Sequence, residues 1–168
     1  MSENTQPRVP KASRPYMPGQ GILPADQGKG LLPWSWAVEH LQTTRTYFVS
    51  TVEVDGQPHT MPVWGVWLEE GFCFTTGKNS RKARNLAANP RCTVTVDRNE
   101  ETVVVEGTAA MHSDPAFFQR FKAVYSPKYD WDMQGFDEPI WVVQPRKVFA
   151  FIASGDDFAG TATRWIFK

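Results

Sequence analysis

Residues that hold metals are scarce in this chain. It contains three histidines, His40, His59 and His112, and two cysteines, Cys73 and Cys92. None has Cys or carboxylate companions at ligand spacing, so no metal site is expected. Both cysteines lie in apolar strand-like runs, which favours buried free thiols over a disulfide; with no secretory leader, the expected compartment is the cytoplasm. No apolar run approaches the roughly 18 to 20 residues that span a bilayer, so a membrane partner is not expected. Neither sign of charge is in excess, since eighteen Lys and Arg balance eighteen Asp and Glu. That balance argues against nucleic acid as a partner and favours a small anion at any local basic cluster. Gly-x-Ser-x-Gly, a Walker-type glycine loop and an obvious carboxylate partner for His59 or His112 are all missing. No catalytic residue is assigned, which is the pattern of a protein whose reactive centre is a bound cofactor.

The 168 residues suit one domain with a substantial core. Residues 1–33 form a Pro/Gly-rich arm (Pro7, Pro10, Pro15, Pro18, Pro24, Pro33; Gly19, Gly21, Gly28, Gly30) without periodicity. Its start is expected to be disordered and the part from Arg14 onward irregular. Residues 34–168 form the single folded domain. A short helix is predicted from Pro33 to about Gln42, with Trp34, Ala37, Val38 and Leu41 on one face. Strands follow at Thr46–Val54, at Pro58–Leu68 after the Asp55-Gly56 turn, and at Phe72–Thr76. A helix ending before Pro90 is next, then a hairpin of Arg91–Asp97 and Thr102–Met111. Ser113-Asp114-Pro115 starts another helix, with Phe117, Phe118, Phe121 and Val124 on one face as ordinary core packing. A polar loop carrying Tyr125, Tyr129 and Trp131 and strands at Ile140–Gln144, Lys147–Ala153 and Thr163–Phe167 complete the pattern. About seven mostly antiparallel strands with two or three helices point to a small barrel with appended helices.

The segment Thr75-Thr76-Gly77-Lys78-Asn79-Ser80-Arg81-Lys82-Ala83-Arg84 carries the strongest signal. Asn79 or Ser80 suits a helix N-cap. Arg81, Lys82 and Arg84 then crowd cations into a first turn that already bears roughly half a positive charge. Hydroxyls, free amides and misplaced cations describe a phosphate site; the plain alternative is a solvated basic helix end. In Met61-Pro62-Val63-Trp64-Gly65-Val66-Trp67, Pro62 requires an edge or a bulge, and Gly65 suggests close approach of something flat. Trp64 and Gly65 are thus a candidate ring platform, with packing the alternative for both tryptophans.

Phe72-Cys73-Phe74-Thr75-Thr76, Ser80-Arg81-Lys82-Ala83-Arg84-Asn85-Leu86 and Asn89-Pro90-Arg91 together resemble the pyridoxamine 5′-phosphate oxidase-like superfamily. Pro58-His59, Pro62 to Trp67, Val105-Glu106-Gly107 and Thr163-Arg164-Trp165-Ile166-Phe167 resemble its flavin/deazaflavin oxidoreductase branch. The resemblance covers roughly residues 30 to 168. It implies a split β-barrel, mainly β, and a homodimer with two cofactor sites at the interface. It also implies coenzyme F420 or FMN as cofactor, and hydride transfer to a small conjugated organic substrate. On this resemblance Lys78, Ser80, Arg81 and Lys82 bind phosphate, and Thr75 and Thr76 lie beside the ribityl chain. Met61, Pro62, Val63 and Trp64 run beside the ring, and Arg164 and Trp165 reach the ring region, from the partner chain if not from their own. Arg84, Lys29 or Lys128 would meet an acidic cofactor tail, and the N-terminal arm would cap the substrate pocket. A C-terminal segment for a phosphorylated vitamin B6 substrate is not found. A cofactor carrier without turnover and a haem-binding barrel using His59 or His112 are the competing functions.

Overall fold

The computed structural model describes residues 10–69, 71–136, 138–155 and 157–168. The disorder expected at the very start, residues 1–9, lies outside the described residues. The order of elements is β1 (Lys11–Ser13), α1 (Trp34–Thr43), β2 (Tyr47–Val52), β3 (Pro58–Val63), β4 (Gly65–Leu68), β5 (Gly71–Thr75), α2 (Arg81–Ala88), β6 (Arg91–Arg98), β7 (Glu101–His112), α3 (Pro115–Tyr129), β8 (Ile140–Ile152), α4 (Asp157–Thr161) and β9 (Thr163–Ile166). All pairings are antiparallel, in the order β1-β9-β8-β7-β6-β2-β3, with β5 joining β8 and β4 joining β5.

The long strand β8 divides this sheet. Its first half pairs with β5 (Ile140↔Thr75 to Val143↔Phe72) and its second half with β9 (Lys147↔Ile166 to Ala150↔Thr163). The sequence suggested two strands here, broken at Pro145. They are one, because a bulge in the β7–β8 ladder takes up the irregularity: Glu106 pairs with Lys147 and Gly107 with Pro145, leaving Arg146 over.

Two of the three edge strands of the curled sheet, β3 and β4, are consecutive in the chain and separated by Trp64 alone. Hydrogen bonds do not close the barrel; the covalent chain does, at a kink. Pro62 sits on edge strand β3 opposite Phe48, where its missing donor costs nothing. The single return strand expected over Pro58–Leu68 is therefore two.

Tyr47, Val49, Phe72, Phe74, Val94, Val96, Val103, Val105, Val143, Val148, Ala150 and Trp165 fill the barrel, closed by Ala37 and Leu41 of α1. A second core packs α3 (Phe117, Phe121, Tyr125, Tyr129) on Val66, Cys73, Ile140 and Val142. Strands β5 and the start of β8 are covered on both faces, which is why Gly71-Phe72-Cys73-Phe74 and Ile140-Trp141-Val142-Val143 read as unbroken apolar runs. Burial of Tyr125 and Tyr129 carries α3 past Pro127, so these two tyrosines belong to a helix and not to the polar loop expected there. Asp114 caps that helix through the amides of Ala116 and Phe117 at 3.3 and 3.0 Å, with Pro115 behind it. The Asp55-Gly56 turn is looser than a two-residue hairpin, with only Gly56 at positive φ and Glu53 N–H bonded to Gln57 O.

The arm is more ordered than its composition suggests. Strand β1 extends the sheet beyond β9, and the Arg14 guanidinium donates to the carbonyls of Gln27, Gly160 and Ala162 at 2.9–3.0 Å. Lys29 pairs with Asp157 at 2.8 Å. Among the described residues no helix is long and apolar enough to cross a membrane, and no cluster of His, Cys, Asp and Glu could hold a metal.

Gly65 stands at the kink with no room for a side chain: a Cβ there would lie 2.3 Å from Phe72 Cζ and 2.8 Å from Cys73 O. Gly65→Ala is expected to cost roughly 3 kcal/mol, read as a lowered urea midpoint. Cys73 and Cys92 are free and buried, and burial pushes both thiols up to about 12. Their protons are held more tightly folded than unfolded, so their contribution is fully present below the ordinary thiol value and is lost as pH rises from about 8.5 through 12. The urea midpoint should fall over that window, and fall less in Cys92→Ala.

Candidate functional site

The turn between β5 and α2 is built on hydroxyls. Ser80 is the N-cap, as the sequence indicated; its Oγ accepts from the Ala83 amide at 3.1 Å and from the Thr76 hydroxyl at 3.0 Å. Ser80 N–H closes the turn onto Gly77 O at 2.9 Å. The amides of Arg81 and Lys82 are the first-turn donors left over. Cations dominate the surroundings, although most are already engaged. Arg81 pairs with Glu53 at 2.9 Å and Arg84 donates to Asn79 O at 2.7 Å. The Lys82 ammonium has no hydrogen-bond or ion partner among the described residues, and burial pushes its pKa below the ordinary lysine range. A helix start of this kind accepts an anion.

The platform lies next to it. Gly65 pairs with Phe74, so Trp64 sits beside Thr75 at the end of that ladder. Trp64 is 49 % exposed and lies nearly parallel to Tyr129, with ring centroids 4.7 Å apart. Met61 and Pro62 are exposed on β3, while Val63 turns inward. Trp67, by contrast, is core and meets Trp34 edge-on.

The end of α3 holds the kink in place, which no sequence signal foretold. Tyr129 Oη accepts the Gly65 amide at 2.9 Å and faces the carbonyls of Arg45 and Gly65, both at 2.8 Å. Lys128 Nζ donates to Gln42 O, Tyr47 Oη and Gly65 O at 2.9, 2.6 and 3.1 Å. Burial, with Arg45 nearby, pushes this lysine down to about 8. Lys128 is thus a structural cation, and Lys29 is committed to Asp157; neither is available to an acidic tail as the sequence suggested.

Of the sequence-derived site residues, Met61, Pro62, Val63, Trp64, Thr75, Thr76, Lys78, Ser80, Arg81 and Lys82 come together at one end of the barrel. Arg164 and Trp165 do not. Within the same chain β9 pairs with the other half of β8, and Arg164 bonds Ser13 Oγ at 3.1 Å. The Trp165 indole is 1 % exposed and packs edge-on against Trp34, within the core of its own chain. The arm likewise lies along β9 and α4, away from this end.

Two clefts flank the turn. One, of about 450 Å³, is lined by Lys78, His112, Phe118, Phe136, Glu138 and Ile140, among others. The other, of about 380 Å³, opens on the outer sheet face at Ser50, Pro58, Arg91, Thr93, Arg146 and Lys147, beside the Gly107 bulge.

An antiparallel sheet curled into two branches around one long strand and left unclosed by hydrogen bonds defines a split barrel. The sequence profile of the family described as pyridoxamine 5′-phosphate oxidase matches residues 37–151, more than half of the chain. The chain belongs to that family. Over 43 residues it is 51% identical to a pyridoxine/pyridoxamine 5′-phosphate oxidase of Streptomyces avermitilis, a match covering 25% of this chain and 19% of that one. The matched stretch is thus well under two thirds of that relative. A conserved hypothetical protein of Mycobacterium tuberculosis superposes with a TM-score of 0.67 at 18% identity, over 73% of this chain and 86% of the other. An F420 reductase gives 0.54 at 26% identity, over 66% and 93%. The fold is shared with a FAD-binding protein of Mesorhizobium loti (0.60, 18% identity) and a heme-binding protein of Mycobacterium smegmatis (0.57, 17% identity).

Tyr129→Phe leaves the buried Gly65 amide without its acceptor and should cost about 2 kcal/mol. Ser80→Ala removes the cap of α2 and should cost about 1 kcal/mol. Thermal unfolding of both variants reads these losses.

Proposed function

We propose that this protein binds coenzyme F420, with FMN the close second, and transfers a hydride between that cofactor and a small conjugated organic acceptor. The observation that carries the reading is the Thr76–Ser80–Lys82 turn. Its leftover amides and a partly desolvated ammonium, unpartnered among the described residues, belong to the turn that continues β5 beyond Thr75, the residue next to the Gly65–Phe74 pair at which the exposed Trp64 stands. Family membership and the likeness to an F420 reductase support it.

A reduced deazaflavin or flavin, when bound, supplies the hydride. The chain's own residues supply position. Lys82, the amides of Arg81 and Lys82, and the Thr76 and Ser80 hydroxyls would hold the phosphate. Arg81 joins them if Glu53 releases it. Trp64, kept parallel to Tyr129, would set the ring plane, with Met61 and Pro62 along its edge. Fixing the two reactants against each other and excluding water is the catalytic contribution open to such a site, because no acid–base pair adjoins the platform among the described residues.

The working unit is a homodimer. The outer face of β2, β6, β7, β8 and β9 carries Phe48, Thr93, Thr95, Val104, Phe149 and Ile166, with Phe48 and Ile166 exposed at 43 % and 41 %. A face of this size and character suits a second copy. In such a dimer the partner's Arg164, which lies on that face, is the route by which this position reaches the site. The cytoplasm is the compartment this reading assigns.

Titrations with FMN and coenzyme F420 side by side test the reading. Lys82→Ala should weaken the preferred cofactor at least tenfold, about 1.4 kcal/mol. Unchanged affinity in both Lys82→Ala and Arg81→Ala would sink the phosphate assignment, and a Soret band in place of flavin-type binding would move the protein to the haem-binding relatives.

A further inference from the structure

The 450 Å³ cleft beside the phosphate turn has no role in the reading above. Its size is that of a small-molecule site. Its walls are apolar at Pro115, Phe118, Phe136 and Pro139, with Phe118 and Phe136 nearly parallel at an interplanar angle of 8°. Its polar groups are Lys78, His112, Ser113, Gln119 and Glu138, with Ser113 and Gln119 able both to donate and to accept. Lys78 and His112 bring donors. Glu138 brings an acceptor, and its Oε2 is buried with no hydrogen-bond partner among the described residues. A buried carboxylate oxygen left unpaired is costly, so a group that delivers an O–H or N–H to it is strongly favoured.

The cleft is linked to the Thr75 end of β5 through the sheet itself. Thr75 pairs with Ile140, and Ile140 pairs with His112, so the three stand in one row across β5, β8 and β7. Neighbouring strands are about 4.8 Å apart, which puts His112 roughly 10 Å from Thr75. Lys78 belongs to the phosphate turn and to the cleft at once. The His112 ring also leans on Phe117, at 5.0 Å between centroids, which fixes it at the mouth of the cleft beside the α3 start.

We propose that this cleft is a small-molecule pocket distinct from the ring platform, and that its ligand is a flat conjugated carbonyl compound carrying a hydroxyl. The ring body lies against Phe118 and Phe136, the hydroxyl donates to Glu138, and His112 donates to the carbonyl oxygen. The pocket's selectivity is its own property. A site built to pair a ligand hydroxyl discriminates against the analogue that lacks it, because Glu138 then stays unpaired.

The test uses the full chain without cofactor and two probes, p-hydroxybenzylideneacetone and benzylideneacetone, which differ by that hydroxyl alone. Amide chemical shifts should move at His112, Phe118, Gln119 and Ile140, and the hydroxylated probe should bind at least tenfold tighter. Glu138→Gln should narrow that ratio, and Phe118→Ala should weaken both probes. Equal affinity of the two probes for the unmodified protein, or shifts confined to another surface, overturns the proposal. Cofactor titration of the same samples separates the two readings. If cofactor binds and the probes do not, the pocket assignment fails alone. If the probes bind as expected and neither cofactor does, the pocket stands and the hydride-transfer reading fails.

Discussion

The molecule depends on a kink of one residue. Strands β3 and β4 are two of the open edges of the curled sheet, and the chain passes from one to the other at Trp64–Gly65. An edge that changes partners cannot keep its ladder bonds at the crossing, so its amide and carbonyl need substitutes. Tyr129 and Lys128 provide them from the end of α3, and Gly65 provides the space against Phe72. The same contacts aim Trp64 outward, parallel to Tyr129, beside the hydroxyl-lined turn. Barrel closure and the candidate ring platform are therefore one structural event.

Around that kink the chemistry is arranged by strand ends. Strand β5 delivers Thr75 and Thr76 to the mouth, α2 presents its N-terminus and Lys82, and the β5–β8–β7 row leads across to His112. The proposed phosphate end and flat wall are built without a metal-holding cluster among the described residues. Such an arrangement binds and orients, and it leaves the reacting centre to what it binds. The long arm serves a different end of the molecule, where Arg14 ties it to β9 and α4.

Much of this was legible along the chain. Ser80, followed by cations at Arg81, Lys82 and Arg84, marked a helix start suited to an anion, because the cap and first turn are local in sequence. Pro62 marked an edge for an equally local reason, the loss of a donor. The apolar runs at Phe72 and Ile140 marked strands, and the structure shows them covered on both faces. Misreadings arose where distant packing outweighed local pattern. Pro127 and the polar residues around it suggested a loop, yet Tyr125 and Tyr129 are drawn into a core formed by β4, β5 and β8. Pro145 suggested a strand end, yet a bulge opposite Gly107 keeps β8 continuous. Trp165 had the look of a ligand contact, but Trp34, more than a hundred residues earlier, covers it.

The sequence by itself determined the elements, the anion-accepting turn and the family, since capping, strand periodicity and motif order are carried by neighbouring residues. Only the tertiary structure decided which cations are available and which are spent. Lys82 has no partner among the described residues, while Lys128 and Lys29 are consumed by a tyrosine, backbone carbonyls and a carboxylate from remote segments. Net charge and spacing cannot distinguish these lysines, because a side chain's partners are set by what the fold brings within about 3 Å.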